Sequence, residues 1–484
     1  MDFADKAHKL TIVSIQPGLE MVNYVSDAAA AACDMPFFSP VEALDEAALR
    51  ALQEARLRRQ YGYLRERSAF YRRKFAAAGL GRDAVQSLDD LRKVPFTTKQ
   101  ELRDSLKAAP PFGEHLAAPM VDVIQVQASS GTTGSPSYVA LTRADAIVWQ
   151  ESSARSLFAC GIRPGDLVLH GFSLSKGFVG GLPIFQALQY MGAVDIPIGA
   201  DGGVERLLAA AFDLRPQAIV GTPNFLLHLA EAAKSQLGRD VREIGVRRLV
   251  VGGEPGGGIP ALRRRIEDAW GATLCELMGG TDLAVIYWAE CDHQDGMHMT
   301  APDFIVAELI DPDSGETKPF TEGATGELVY TAIQREASPV FRFRSGDHVV
   351  VTGTTCRCGR RQPKIRCFGR TDDMLIVRGV NLFPSAVQDL VESMRPAVSG
   401  QVRLVADFEG HSTQANLKVL VERAQAEPPG VSLAALKHDI ESRIRGALAV
   451  KADVLLAPHG SIEKPGAAKV KLVLRSMPAI AGLQ

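Results

Sequence analysis

No apolar run in this 484-residue chain is long enough to span a bilayer, which excludes a membrane-spanning helix. Neither sign of charge prevails. With 54 basic and 56 acidic residues the formal net charge is -2, so nothing draws the chain to nucleic acid or to an anionic membrane surface. Cysteine is sparse, seven in all, which excludes a disulfide scaffold and fits a reducing cytoplasm. Asp2, Asp5 and Lys6 leave the N-terminus without the basic flank and continuous apolar core of a secretory signal. Internal repeats and low-complexity tracts are missing too. What remains is an ordinary globular composition, 46% hydrophobic and 23% charged, at a length that allows two or more domains.

The most informative stretch is residues 127–138, where Ser129, Ser130, Gly131, Thr132, Thr133 and Gly134 follow the apolar run 121–126. Glycine lets backbone amides turn toward an anion, and hydroxyls add donors, so such a loop suits a triphosphate. No lysine follows the second glycine, which sets it apart from the Gly-x-x-x-x-Gly-Lys phosphate loop. A flexible surface turn has the same composition.

Residues 1 to about 36 are an Ala-rich lead. Residues 45–75 carry one helical pattern, with Leu49, Leu52, Leu57, Tyr61 and Leu64 recurring and Gly79 as the stop. Its many arginines, interspersed with acids, read as a solvated face. Thr97 or Thr98 caps a short helix after Pro95-Phe96. Strands are expected at 167–172, 193–198, 218–221, 248–251 and 273–277, with helices at 203–213, 224–237 and 260–270 between them. This alternation argues for a parallel sheet covered on both faces, with ligands beyond the strands' carboxyl ends. Residues 304–365 turn β-rich, and 371–484 read as a small α+β domain.

Several motifs now stand in a fixed order: Pro95-Phe96-Thr97-Thr98-Lys99, the 129–136 loop, Gly253-Glu254-Pro255, Arg344-Ser345-Gly346-Asp347 and Gly369-Arg370-Thr371-Asp372-Asp373. Arg378-Gly379-Val380-Asn381 and a terminal Lys469-Val470-Lys471 follow. In this order they resemble the phenylacetate–coenzyme A ligase branch of the adenylate-forming superfamily, from about residue 37 to 475. The resemblance implies an α/β fold with a large N-terminal domain (1–370), whose sheets are covered by helices and joined by a β-rich subdomain. A small, mobile C-terminal α+β domain (371–484) would carry the catalytic lysine. It also implies a two-step ligase: ATP and a carboxylate form an acyl-adenylate and pyrophosphate, then coenzyme A thiol displaces AMP.

The roles carried over are these. Ser129 to Gly134 cradle phosphates; Asp347 accepts from both ribose hydroxyls; Arg370 contacts ribose or phosphate; Asp372 is the hinge. Lys469 meets the negative charge that builds on the α-phosphate, with Lys471 and Lys464 as competitors because Ala468 replaces the family's glycine. Met278-Gly279-Gly280-Thr281-Asp282 departs from the family's Tyr-Gly-x-Thr/Ser-Glu. Methionine stands for the adenine-stacking aromatic, Thr281 reaches the α-phosphate, and Asp282 takes the glutamate's place on Mg²⁺ with one methylene fewer. Phe172, Phe178, Thr222, Pro223, Gly279 and Gly280, with Gly253, Glu254 and Pro255, are the expected acyl pocket.

Cys291, His298, Cys356 and Cys358 form a second constellation. Three thiolates and an imidazole make a tetrahedral Zn²⁺ set, and some members of the ligase branch carry such a cluster. The expected partners are a small aromatic carboxylic acid and coenzyme A, or a carrier-protein thiol in place of the latter, with no nucleic acid, no membrane and a possible homodimer. A non-catalytic nucleotide-binding relative is the rival motivated by Met278, Asp282 and Ala468. A zinc-bearing nucleic-acid binder lacks the basic, aromatic stripe it would need.

Overall fold

A computed structural model describes residues 36–128, 137–175, 177–254, 256–371, 373–426, 432–463 and 471–484. It also gives the backbone of a short antiparallel hairpin that pairs Ile12–Ser14 with Glu20–Val22.

Asp45 starts the first helix, Glu46–Arg67, by accepting from the Ala48 N–H. Ser68 then leaves helical geometry and accepts from the Tyr71 N–H, which ends that helix and caps the next, Ala69–Ala77. The single helix expected over 45–75 is therefore two. Serine competes for backbone donors, so one residue serves as stop and start. Most of its arginines are exposed, as expected of a solvated face, and Arg56 is an exception: its Nη1 donates to the Asp303 carbonyl at 2.7 Å and to its carboxylate at 3.0 Å.

The centre is a twelve-stranded mixed sheet. Its parallel half consists of β1 (Leu167–His170), β2 (Val194–Ile196), β3 (Ala218–Gly221), β4 (Arg248–Val251) and β5 (Thr273–Gly280), in the order β2-β1-β3-β4-β5. From β5 the sheet continues antiparallel through β6 (Ala284–Ala289) and β7 (Met297–Met299). Beyond them lie β8 (Ile305–Ile310), β9 (Thr317–Lys318), β10 (Thr325–Ala332), β11 (Phe343–Gly353) and β12 (Lys364–Arg370).

Strand periodicity sends alternate residues of the parallel half to opposite faces. Val168, Val220, Val250 and Cys275 pack under helices Arg143–Ala159 and Leu182–Met191. Leu169, Ile219, Leu249 and Leu274 pack under Val204–Leu214, Pro223–Leu237 and Pro260–Trp270. Both faces are covered, which is why these strands read as unbroken apolar runs. Cys160 and Cys275 are buried, as small apolar residues should be.

After Arg370 a separate core begins. Val387, Val391, Val402, Leu404, Val419, Ile440, Ile444 and Val454 close it between helices Pro384–Ser393 and Leu433–Leu448 and a four-stranded sheet. No helix among the described residues is long and apolar enough to cross a membrane.

Candidate active site

Where β5, the β10–β11 hairpin and the end of β12 converge, they leave a cleft of about 410 Å³. Gly346, at φ +77, turns the chain so that Asp347 faces this cleft. Glu327 braces the turn by accepting from Arg344 Nε at 3.1 Å and from the Gly346 N–H at 3.2 Å. Asp347 and Arg370 are cross-strand partners. Arg370 Nη1 donates to Asp347 Oδ1 at 2.6 Å, and Nη2 donates to the Ser345 carbonyl at 3.0 Å. Asp347, expected on the ribose, and Arg370, expected on ribose or phosphate, thus form one ion-paired unit at the cleft wall.

Opposite them, β5 ends in Gly279 and Gly280. A side chain at Gly279 would collide with the Val285 carbonyl, so the glycine is imposed by backbone approach. At Gly280 a Cβ would stand 3.5 Å from the Tyr287 hydroxyl and face open cleft. Burial, then the nearby Asp347 charge, pushes that hydroxyl well above the usual tyrosine range, so it stays a neutral donor. Thr281 and Asp282 form the turn into β6. Lys99, first residue of helix Lys99–Ala108, donates to both Asp282 oxygens at 2.8 and 2.7 Å. Thr98 caps this helix, in a capping box with Glu101.

Of the residues assigned to the acyl group, Gly279 and Gly280 line this cleft, and the others gather elsewhere. The Phe172 and Phe178 rings lie 6.3 Å apart, tilted by 55°. Gly253, at φ +84, sits over them: a Cβ there would meet Phe172 at 3.8 Å, Phe178 at 3.9 Å and Thr222 at 4.0 Å. Glu254 Oε1 accepts from the Asn224 N–H at 3.1 Å and from Asn224 Nδ2 at 3.0 Å. Pro223 is buried and packs against Gly256. Beneath this loop Glu276 Oε1 accepts from the Gly258 N–H at 2.7 Å. Desolvation, reinforced by the Glu290 charge, pushes the Glu276 carboxyl up to about 7.

Ser129, Ser130, Gly131, Thr132, Thr133, Gly134, Pro255, Asp372 and Lys469 lie outside the described residues, as does the competing Lys464. The strands flanking the phosphate loop, Val123–Ala128 and Tyr138–Thr142, pair antiparallel. Lys471 is described and exposed.

A second centre lies on the far side of β7. The ligand atoms of Cys291, His298, Cys356 and Cys358 all fall within 4.8 Å of one another. Cys291 and Cys356 sulfurs are 3.7 Å apart, and Cys358 Sγ is 3.5 Å from His298 Nε2. A tetrahedral zinc has edges of about 3.8 Å between sulfurs and about 3.5 Å between sulfur and nitrogen, given its bond lengths. His298 is fully buried, and its other nitrogen lies 3.4 Å from the Gln362 carbonyl, which fixes the ring for a metal on Nε2. The donor set therefore fits zinc.

Residues 73–334 match the family model described as AMP-binding enzyme, and residues 379–475 match the AMP-binding enzyme C-terminal domain. The chain belongs to the AMP-binding enzyme family. Within it, the chain is 35% identical to a phenylacetate-coenzyme A ligase of Thermus thermophilus over 91% of this chain and 99% of that protein. It is 34% identical to the Escherichia coli phenylacetate-coenzyme A ligase over 88% and 94% of the two chains. Among solved structures, 2-hydroxyisobutyryl-CoA ligase in the postadenylation state with 2-HIB-AMP superposes with a TM-score of 0.84, at 30% identity over 92% of this chain and 93% of that one. The same ligase in the thioesterification state, with 2-HIB-AMP and CoA, gives 0.68 at 31% identity over 91% and 93%.

For an AMP-binding enzyme, the residue that sequence reasoning passed over is Lys99. Its partner Asp282 lies 183 residues away in the chain, so no local sequence signal ties it to the cleft.

Proposed function

We propose that this protein is an AMP-forming acid–coenzyme A ligase acting on an aryl or arylacetic acid. The observation that carries the reading is the cleft in which the Asp347–Arg370 pair faces Gly280 and Asp282. In the first step a carboxylate oxygen attacks the α-phosphate of ATP and pyrophosphate leaves; in the second, the thiol sulfur of coenzyme A attacks the acyl carbon and AMP leaves.

The 1–370 portion binds ATP and the acid, and 371–484 carries the lysine. Asp347 accepts from the ribose diol through its two oxygens, held in aim by Arg370. Thr281 donates to the α-phosphate, and the loop from Ser129 to Gly134 wraps the leaving phosphates. Lys469 supplies positive charge where the bridging oxygen becomes anionic. Asp282 would hold Mg²⁺ once Lys99 yields an oxygen, and that ion supplies charge to the phosphates. Cys291, His298, Cys356 and Cys358 would hold a structural zinc, with no position open to substrate.

The Phe172 and Phe178 rings beside Gly253 support an aromatic acid, as do relatives named phenylacetate-coenzyme A ligases. The better superposition on a postadenylation-state ligase than on the same ligase in the thioesterification state supports a small domain that has not yet turned for the second step. Carboxylate-dependent ATP–pyrophosphate exchange across a panel of aryl acids tests the reading, and coenzyme A-dependent AMP release tests the acceptor. Exchange is expected with at least one arylacetic acid. Silence across the panel overturns the substrate class, and AMP release indifferent to coenzyme A overturns the acceptor.

A further inference from the structure

The small domain meets the large one along helices Pro260–Trp270 and Pro384–Ser393. Across that seam Arg265 Nη1 donates to Glu392 Oε1 at 3.0 Å, while Nη2 donates to Glu231 Oε1 at 2.8 Å. Arg265 and Glu231 belong to the large domain and Glu392 to the small one, so a single guanidinium spans the boundary. Its planar fork presents separate nitrogens to the two carboxylates.

The Glu392 side chain is 5% exposed. Its seat is shaped by Gly400, at φ +86, where any Cβ would collide with the carboxylate. Arg395 stands 3.8 Å away and donates to the Ser399 carbonyl. Asn224, Arg265, Glu392, Arg403 and Leu472 line one small cavity at this seam. Asn224 is the residue that holds Glu254 at the acyl loop. The Leu472 carbonyl accepts from the Leu404 N–H at 2.8 Å, which anchors the chain directly after Lys471. The ion pair therefore lies beside Leu472 of the small domain and beside Asn224, which holds Glu254, of the large one. A rotation of the small domain about its link near residue 371 parts Arg265 from Glu392 and leaves a nearly buried carboxylate short of a partner.

We propose that Arg265 is a positioning residue for adenylate formation: through Glu392 it holds the small domain against the large one during the first step, and the pair opens before the coenzyme A step. This rests on the ligase reading.

The test uses the full-length protein with Arg265→Ala, Glu392→Gln, their double variant and Glu231→Ala. ATP–pyrophosphate exchange is expected to fall about five- to tenfold in each of the first two and no further in the double. Coenzyme A-dependent turnover of preformed acyl-adenylate is expected to stay level or rise, and Glu231→Ala to leave both steps near wild type. Parallel loss of both steps, additive losses in the double, or the same loss in Glu231→Ala overturns the proposal, because a merely structural role would give these. Small-angle scattering separates the two readings. If the wild type exchanges with no acid, the ligase reading fails, and the pair is still judged by whether Arg265→Ala widens the scattering distance distribution. An unchanged distribution overturns it.

Discussion

Lys99 and Asp282 lie 183 residues apart in the chain, yet the ammonium sits 2.8 and 2.7 Å from the two carboxylate oxygens. Magnesium binds oxygen at about 2.1 Å, and an ammonium on the same oxygens repels it. Lys99 therefore competes with the metal for Asp282. Replacing Lys99 with methionine keeps the stem and removes the charge. In the exchange assay Lys99→Met is expected to lower the half-saturating Mg²⁺ concentration and raise the KM for ATP, each by about threefold or more. A Mg²⁺ dependence identical to wild type would remove Asp282 from the metal's ligands. The sequence pattern made Asp282 visible as the aspartate in a glutamate's place. It could not show the lysine, because nothing local in sequence links Lys99 to a residue so distant. The Asp347–Arg370 pair was hidden for the same reason: it is made by strand register, not by spacing.

Elements carry the next layer, and β5 shows how. Its end faces the cleft at Gly279 and Gly280, while Glu276 on the same strand supports the turn at Gly258. Glu290 accepts from Arg263 Nη2 at 2.6 Å and from the Glu276 N–H at 2.8 Å, so a second carboxylate crowds the first. Arg263 and Arg366 pull the Glu276 carboxyl down, but desolvation and Glu290 prevail and it titrates at about 7. An unfolded glutamate titrates at about 4.3. The folded chain thus holds the proton more tightly, and this contribution to stability is complete below about pH 4 and lost as pH rises through 7. Glu276→Gln keeps an acceptor for Gly258 and cannot ionise. It is expected to flatten the Tm-against-pH curve between pH 5 and 8 and to be more stable than wild type at pH 8 by about 1–3 kcal/mol. Parallel curves would overturn the assignment. The second centre is likewise an assembly of elements, with Cys291 after β6, His298 in β7, and Cys356 and Cys358 before β12. Spacing alone left it open, because a cysteine pair 65 residues from the third thiol has no period to read. Cys358→Ser is expected to lose about one zinc per chain and to lower Tm by several degrees, read by metal analysis and calorimetry. Full metal content in the variant would dismiss the cluster as a zinc site. The strands 218–221 and 248–251 were legible to the residue because apolar runs end there in glycine. The helix over 45–75 was misread because Ser68 looks like any polar surface position until its side chain is seen capping the next turn.

Taken whole, the residues after Arg370 close a core of their own, joined to the rest by one chain link, and the proposed chemistry draws groups from both sides of that link. In the proposed reaction the large domain presents Asp347, Gly280 and Asp282, and the small one delivers a lysine. Lys471 is a poor candidate on geometry. It precedes Leu472, whose carbonyl is bonded to the Leu404 N–H, and Val473–Leu474, which pairs with Val398–Val405, so its backbone is tied to the edge of the small domain's sheet. A cation that is to reach the α-phosphate in the first step and withdraw in the second needs backbone free of that ladder, and Lys469 is two residues farther from it. Lys469→Ala is therefore expected to reduce ATP–pyrophosphate exchange by about 10²-fold or more, the scale of losing one preorganised charge contact to a transition state. Its coenzyme A-dependent turnover of preformed acyl-adenylate should stay within a few-fold of wild type, since the lysine acts on the leaving pyrophosphate and not on the thioester bond. Lys471→Ala should leave both steps nearly intact. If exchange survives in the first variant and collapses in the second, the register shifts by two residues and the sheet-edge argument fails.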